Sequence, residues 1–199
     1  MNASISRVFL ALTLAIALLF SWRAEAQADA SAFITRLADT AVPVLTDPQT
    51  PEPQREQKFR EILDQGFDME ALARLVLGRY WRQASPDERQ EFTSLLEDYL
   101  IQMYADRFAE YQNVDLEVGS SRAEQGAEFV QSVMRQQSGP PVQLEWRVEQ
   151  QDGRYIITDL IVEGVSMVIT QRSEFASVIR QRGGQVSGLI DLLRQKTRR

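Results

Sequence analysis

Asp159 and Glu163 are the carboxylates whose setting most invites a chemical role. They stand near one end of a strand-like segment, with Gly164 following, and paired carboxylates can perform acid/base work on a glycosidic bond. Four residues along a strand place them roughly 13 Å apart, too far for either usual glycosidase geometry unless the chain bends. A turn carboxylate and a solvated strand charge describe them better. Asp64, Asp68 and Glu70 likewise fit helix-end and capping groups better than a metal cluster. The chain has no histidine and no cysteine, which excludes Ser-His-Asp and Cys-His nucleophilic systems and the commonest zinc sites. Neither G-x-x-x-x-G-K-S/T nor G-x-G-x-x-G occurs, so no phosphate loop is present and no cofactor is implied. The expectation is a protein that binds and does not catalyse, with no catalytic residue and no metal.

The elements that would position a binding site are legible from capping residues and periodicity. In Val76 to Tyr111, Ser85 is placed to cap a helix, Pro86 takes the first helical position, and Glu88 can close a capping box. Phe92, Leu95, Leu96, Tyr99, Leu100, Met103, Tyr104, Phe108 and Tyr111 then recur at helical spacing, which predicts one apolar face and one wet face. Shorter helices are predicted over Ser31 to Leu45, with Pro43 in its last turn, over Gln54 to Gln65, and over Met69 to Leu77 with Asp68 as cap. Two more close the chain, Gln171 to Arg182 and Val186 to Gln195. Gly184-x-x-x-Gly188 reads as the loop between them.

After Tyr111 the period changes from 3.6 to 2. Val142, Leu144, Trp146 and Val148 alternate with Gln143, Glu145, Arg147 and Glu149, and Asp152-Gly153 turns the chain into a partner strand, Tyr155 to Val162. Val114 to Val118 and Phe129 to Arg135 read as two further strands, and Ser138-Gly139-Pro140-Pro141 as the turn before the third. The fold class expected is α+β: an antiparallel meander sheet of about four strands packed against several helices.

Composition sets the setting. Arg7, the apolar run Val8 to Phe20 and Ala24-Glu25-Ala26 read as a secretory signal over residues 1–26, leaving a single domain over 27–199. The run is about thirteen residues, short of the roughly twenty that span a bilayer, and the absence of cysteine removes the lipid-attachment residue of a lipoprotein. The net charge of −6 makes the chain a poor partner for nucleic acid or anionic lipid surfaces. The basic tail Arg194, Lys196, Arg198 and Arg199 reads as a helix end complementing its dipole.

VLGRYW (Val76 to Trp81) before the SPDERQEF helix start, and Glu163-Gly164-Val165-Ser166-Met167 before TQRSEFASVIRQRGG, resemble the MlaC-type family of periplasmic phospholipid-binding proteins, also known as toluene-tolerance or ABC-transporter auxiliary proteins. The resemblance spans roughly Ala32 to Arg194. It implies a soluble periplasmic carrier that shuttles phospholipids between an inner-membrane ABC transporter complex and an outer-membrane complex, maintaining outer-membrane lipid asymmetry. The implied partners are a phospholipid ligand, the transporter's substrate-binding component and an outer-membrane lipoprotein associated with a porin. Alternatives on the same scaffold are a carrier of another apolar lipid, such as a hopanoid, and a periplasmic adaptor that binds no ligand.

Taken alone, the apolar side chains of helices and strands read as ordinary core. Taken with the resemblance, they imply an apolar cavity between sheet and helices, bordered by Val76, Leu77, Tyr80, Leu96, Leu100, Met103, Tyr104, Val130, Leu144, Trp146, Leu160, Val165, Met167 and Phe175. Two acyl chains carry about thirty methylenes, each worth about 0.8 kcal/mol of transfer from water, so a soluble carrier must shield roughly 25 kcal/mol of apolar surface.

Overall fold

The computed structural model describes residues 30–108, 114–137 and 139–198; the leader, Tyr111 and Ser138 of the sequence reading lie outside them. The described residues form six α-helices and a five-stranded sheet. Helix α1 (30–45) runs past Pro43, which occupies its last turn. The Pro-rich connection that follows is clamped by the buried Arg55, whose Nη2 donates to the Thr50 carbonyl at 2.8 Å. Helix α2 (Glu52–Gly66) and helix α3 (Met69–Leu77) follow, the latter started by Asp68, whose carboxylate accepts from the Ala71 N–H at 2.9 Å. A 3₁₀ turn (Gly78–Arg82) leads into α4 (Pro86–Phe108). The capping box forms as the sequence predicts: Glu88 N–H donates to Ser85 Oγ at 3.2 Å, and Ser85 N–H donates to Glu88 Oε2 at 2.8 Å.

Strands β1 (Asp115–Glu124), β2 (Ala127–Arg135), β3 (Val142–Gln151), β4 (Arg154–Val162) and β5 (Val165–Ser166) pair antiparallel in sequence order. The meander is the expected one, extended by a short fifth strand. Three of its turns use the same device. Gln125-Gly126, Asp152-Gly153 and Glu163-Gly164 each hold both central residues at positive φ, the backbone of a two-residue hairpin whose twist matches the strands. Only Asp152-Gly153 was legible as a hairpin signal from residue type. Bulges interrupt β1 between Val118 and Ser121 and shift β4 at Thr158, opposite the Arg147/Val148 step of β3. Helix α5 (Met167–Gln181) and helix α6 (Val186–Thr197) close the chain. Gly188 lies inside α6 and not in a loop; a Cβ there would sit 2.7 Å from the Arg182 Cβ, so this glycine lets the end of α5 approach α6.

Buried side chains fall into two main clusters and a small bridging one. Helices α3 to α6 and the 3₁₀ turn pack on one another through Val76, Leu77, Trp81, Phe92, Leu96, Phe175, Ile179, Leu189 and Leu193. Helices α1 and α2 pack on the sheet through Ile34, Leu37, Leu45, Ile62, Val130, Val148 and Ile157. Leu63, Ile101 and Ala105 join α2 to α4, and Phe59 and Phe67 belong to both this contact and the sheet cluster.

Helix α4 departs from the single stripe expected of it. Phe92 and Leu96 are buried in the helical cluster, whereas Ile101 and Ala105, absent from the predicted stripe, are buried against α2. At about 100° per residue, Ile101 lies roughly 180° around the wheel from Phe92. The first half of the helix thus buries one side and the second half the opposite side, so no single wet face runs its length.

Removing the Ser85 hydroxyl should cost this helix one capping bond. Ser85→Ala is expected to lower stability by about 1 kcal/mol in urea unfolding, and an unchanged midpoint would contradict the capping assignment.

Candidate apolar ligand site

The sheet has one face on which successive strands align apolar residues in cross-strand rows. Pairing places Val130, Trp146 and Leu160 in one row, Ser132, Leu144, Val162 and Val165 in the next, and Leu116, Met134 and Val142 in a third. The first row carries the packing of α1 and α2: Val130 is fully buried and Trp146 packs in the same cluster. Trp146 Nε1 donates to Ser132 Oγ at 2.8 Å, which satisfies the indole N–H and the one buried hydroxyl of the second row.

Beyond Trp146 the packed clusters of the described residues no longer reach the face. Leu116, Met134, Val142, Leu144, Leu160 and Val162 are half-buried and belong to none of the packed clusters. Val165 continues the Leu144 row with 53% of its surface exposed, and Ile169, in the first turn of α5, is 61% exposed. With strands about 4.8 Å apart and rows about 6.7 Å apart, the uncovered strip measures roughly 14–19 Å across the strands. It is an apolar platform with no ionised side chain aligned in its rows. Such a surface can bury hydrocarbon; it offers nothing to polarise or protonate a substrate.

The side chains expected to border a cavity are divided by the structure. Val76, Leu77, Tyr80, Leu96 and Phe175 pack tightly within the helical cluster, and Leu100 contacts both that cluster and the α2–α4 contact. Met103 and Tyr104 are half-buried on the second half of α4, with the Tyr104 ring 6.5 Å from that of Phe59. Val130 and Trp146 lie under α1 and α2, and Leu144, Leu160 and Val165 share the open part of the sheet face. Met167 is half-buried at the start of α5. Leu116, Met134, Val142 and Val162 complete the strip. Their alternation was visible in the sequence, but their alignment depends on register and bulges that it does not display.

The two carboxylates considered for acid/base chemistry are engaged in hydrogen bonds to the neighbouring backbone and, for Asp159, to a serine hydroxyl. Asp159 accepts from Ser166 Oγ at 2.5 Å and from the Val168 N–H at 3.1 Å, and Ser166 Oγ in turn accepts from the Ile169 N–H at 3.0 Å, forming the N-cap of α5. Glu163 accepts from the Gln143 N–H at 2.5 Å and returns its own N–H to the Gln143 carbonyl at 2.9 Å. Both carboxylates hold the β4–β5–α5 corner together. Among the described residues no group of histidine, cysteine or acidic side chains is placed to hold a metal, and no helix is long and apolar enough to cross a membrane.

At the opposite end of the same face, a cavity of about 220 Å³ is lined by Ala123, Gly126, Ala127, Glu128, Val148, Gln150 and Tyr155. None of the lining residues belongs to the open strip, and two acyl chains would not fit the volume. Glu128 Oε2 is buried there without a partner, and burial holds its carboxyl above the usual carboxylate range.

Comparison with known proteins gives a consistent picture. The family model described as MlaC protein matches residues 35–195. The toluene tolerance protein ttg2D of Pseudomonas putida is 24% identical over 135 residues, 67% of this chain and 63% of that protein. The intermembrane phospholipid transport system binding protein MlaC of Haemophilus influenzae is 22% identical over 133 residues, 64% of this chain and 61% of that protein. The chain therefore spans 61–63% of the length of these curated relatives. The phospholipid-binding protein of Ralstonia solanacearum, solved in complex with a phospholipid, superposes with a TM-score of 0.70 at 26% identity, covering 84% of this chain and 96% of that one.

The partnerless Glu128 carboxylate has a pH consequence. Its folded form holds a proton more tightly than the unfolded chain does, so wild-type stability is lost as pH rises from the ordinary carboxylate value through the raised one. Glu128→Gln should gain stability relative to wild type between about pH 4 and about pH 7.5 in paired urea titrations. A difference that does not change with pH would contradict it.

Proposed function

This chain belongs to the MlaC protein family, and from that membership we propose that it is a periplasmic phospholipid carrier that works by binding alone. The observation that carries the proposal is the uncovered apolar strip centred on Leu144, in a fold that superposes on a protein solved with a phospholipid. Acyl tails lying on this strip would complete the burial that the helices leave unfinished, while the polar headgroup stays in water. Half-buried Met134 suits the role, because an unbranched thioether adapts to chains of different shape.

In this reading the leader directs export, and the carrier shuttles lipid between the substrate-binding component of an inner-membrane ABC transporter and an outer-membrane lipoprotein–porin complex, supporting outer-membrane asymmetry. No covalent step is involved. Release requires only that docking favours a conformation in which contact with the tails is weaker, since a partner can shift the equilibrium by no more than its differential affinity for the two states.

The strip can be tested where substitution threatens folding least. Leu144 is half-buried and outside the packed clusters, so Leu144→Asp should leave circular dichroism and the thermal midpoint close to wild type. It places a charge where the tails would lie, and uptake of labelled phospholipid from vesicles should fall at least about tenfold. A folded variant with normal uptake would remove this strip from the binding site.

A further inference from the structure

Carboxylates elsewhere in the molecule are engaged: Asp159 and Glu163 hold the β4–β5–α5 corner, Glu97 and Asp98 face Arg60, and Glu145 faces Arg122. Glu128 is placed differently. It lines the cavity of about 220 Å³ at the end of the sheet far from the open strip, and its Oε2 is buried with no hydrogen-bond partner. Among the described residues no cation forms an ion pair with it. This unpaired burial is what holds its carboxyl above the usual carboxylate range.

Strand register builds the site. Glu128 of β2 lies between Ala123 of β1 and Val148 of β3, and Ile157 of β4 continues the row. Val148 and Ile157 are at most 2% exposed and pack in the cluster that α1 and α2 form with the sheet, so the floor at this end is apolar. Gln150 pairs with Tyr155 one step nearer the strand ends, and both line the same cavity. The Tyr155 ring forms one wall and is held by Phe33 of α1, with 5.9 Å between ring centroids. At Gly126, in the β1–β2 turn, a Cβ would meet nothing within 4 Å, so the lip of the cavity is open.

We propose that this cavity is a binding site for a primary ammonium group carried on a slim aliphatic stem. The Glu128 carboxylate supplies the counter-charge, the Gln150 amide oxygen a second acceptor for the three ammonium donors, and the Tyr155 ring a π face toward the cation. An ionised carboxylate buried without a partner is costly, and a cation brought beside it in apolar surroundings removes that cost. The walls select against other classes of ligand. A divalent metal needs several oxygen ligands, and among the described residues no group of three acidic side chains assembles. An anion would meet a carboxylate in a chain of net charge −6. The volume lies below the roughly 300–1,000 Å³ of drug-sized pockets, which suits a stem of a few carbons and excludes paired acyl chains. Six residues of β3, roughly 20 Å, separate Gln150 from Leu144, so the site stands apart from the open strip and does not rest on the carrier reading.

The test is titration of the full chain at about pH 7.5 with propylammonium, which stays charged there, read from the Glu128 carboxyl carbon and the Val148 amide by NMR. Both signals should shift and saturate. Propyltrimethylammonium, equal in charge but without N–H donors, should bind at least about tenfold more weakly. Glu128→Gln should lower propylammonium affinity at least about tenfold, and because the same substitution is expected to raise stability, that loss is not one of fold. Ala123→Leu, which fills the cavity from β1 and keeps the carboxylate, should weaken binding as well, and phospholipid uptake from vesicles should be unchanged in both variants. A lysine blocked at its α-amino and carboxyl groups separates the sources: binding at least as tight as that of propylammonium assigns the ammonium to a side chain of a protein partner, and weaker binding assigns it to a free amine. Shifts that do not saturate, affinity unchanged in Glu128→Gln, or equal affinity for the two propyl cations would each overturn the proposal.

Discussion

Among the described residues the sheet presents more apolar surface than the packed helical clusters take up, and the account of the site rests on that shortfall. Helices α1 and α2 are committed to the half of the face at Val130, Val148 and Ile157. Helices α3, α5 and α6, with the first half of α4, bury their apolar sides among themselves. The second half of α4 turns its opposite side to α2. None of these packed clusters includes Leu144, Val162 or the row at Val142, and an apolar surface left in that position is stabilised by whatever hydrocarbon can reach it.

The polar residues tell the same story by what they are occupied with. Asp68, Ser85, Glu88, Asp159, Glu163 and Ser166 all serve backbone N–H groups at helix starts or at the β4–β5 corner. Their hydrogen bonds fix where helices begin and where the sheet ends, and so fix the edges of the strip. The GRYW segment is likewise structural first: its glycine admits Arg172, its Trp81 is flanked by the guanidiniums of Arg74 and Arg89 at 5.8 and 5.4 Å, and its Tyr80 fills the helical core.

What was legible in the sequence was what is local. The capping box at Ser85, the Asp68 cap, the alternation of β3 and the Asp152-Gly153 turn each depend on neighbours within a few residues, and each is present in the fold. The turn at Gln125-Gly126 and the short strand after Glu163-Gly164 were missed, because glutamine and glutamate are weak signals for positive φ and a two-residue strand has no period. The two-sided burial of α4 was missed for a different reason. Periodicity reports that Phe92 and Ile101 are apolar but not that two different partners take them from opposite sides. The site suffered most: Leu144, Val162 and Val165 meet only through register, and the tightly packed Leu77 and Phe175 look no different in sequence from residues of an open surface.

The central claim, that the uncovered strip exists to hold phospholipid tails, is tested most directly by exporting the protein, purifying it without detergent, and examining it by native mass spectrometry with extraction of whatever is bound. The account predicts one glycerophospholipid per chain. A protein that emerges empty and takes up no labelled phospholipid from vesicles, or one carrying a stoichiometric polycyclic lipid in its place, would contradict it.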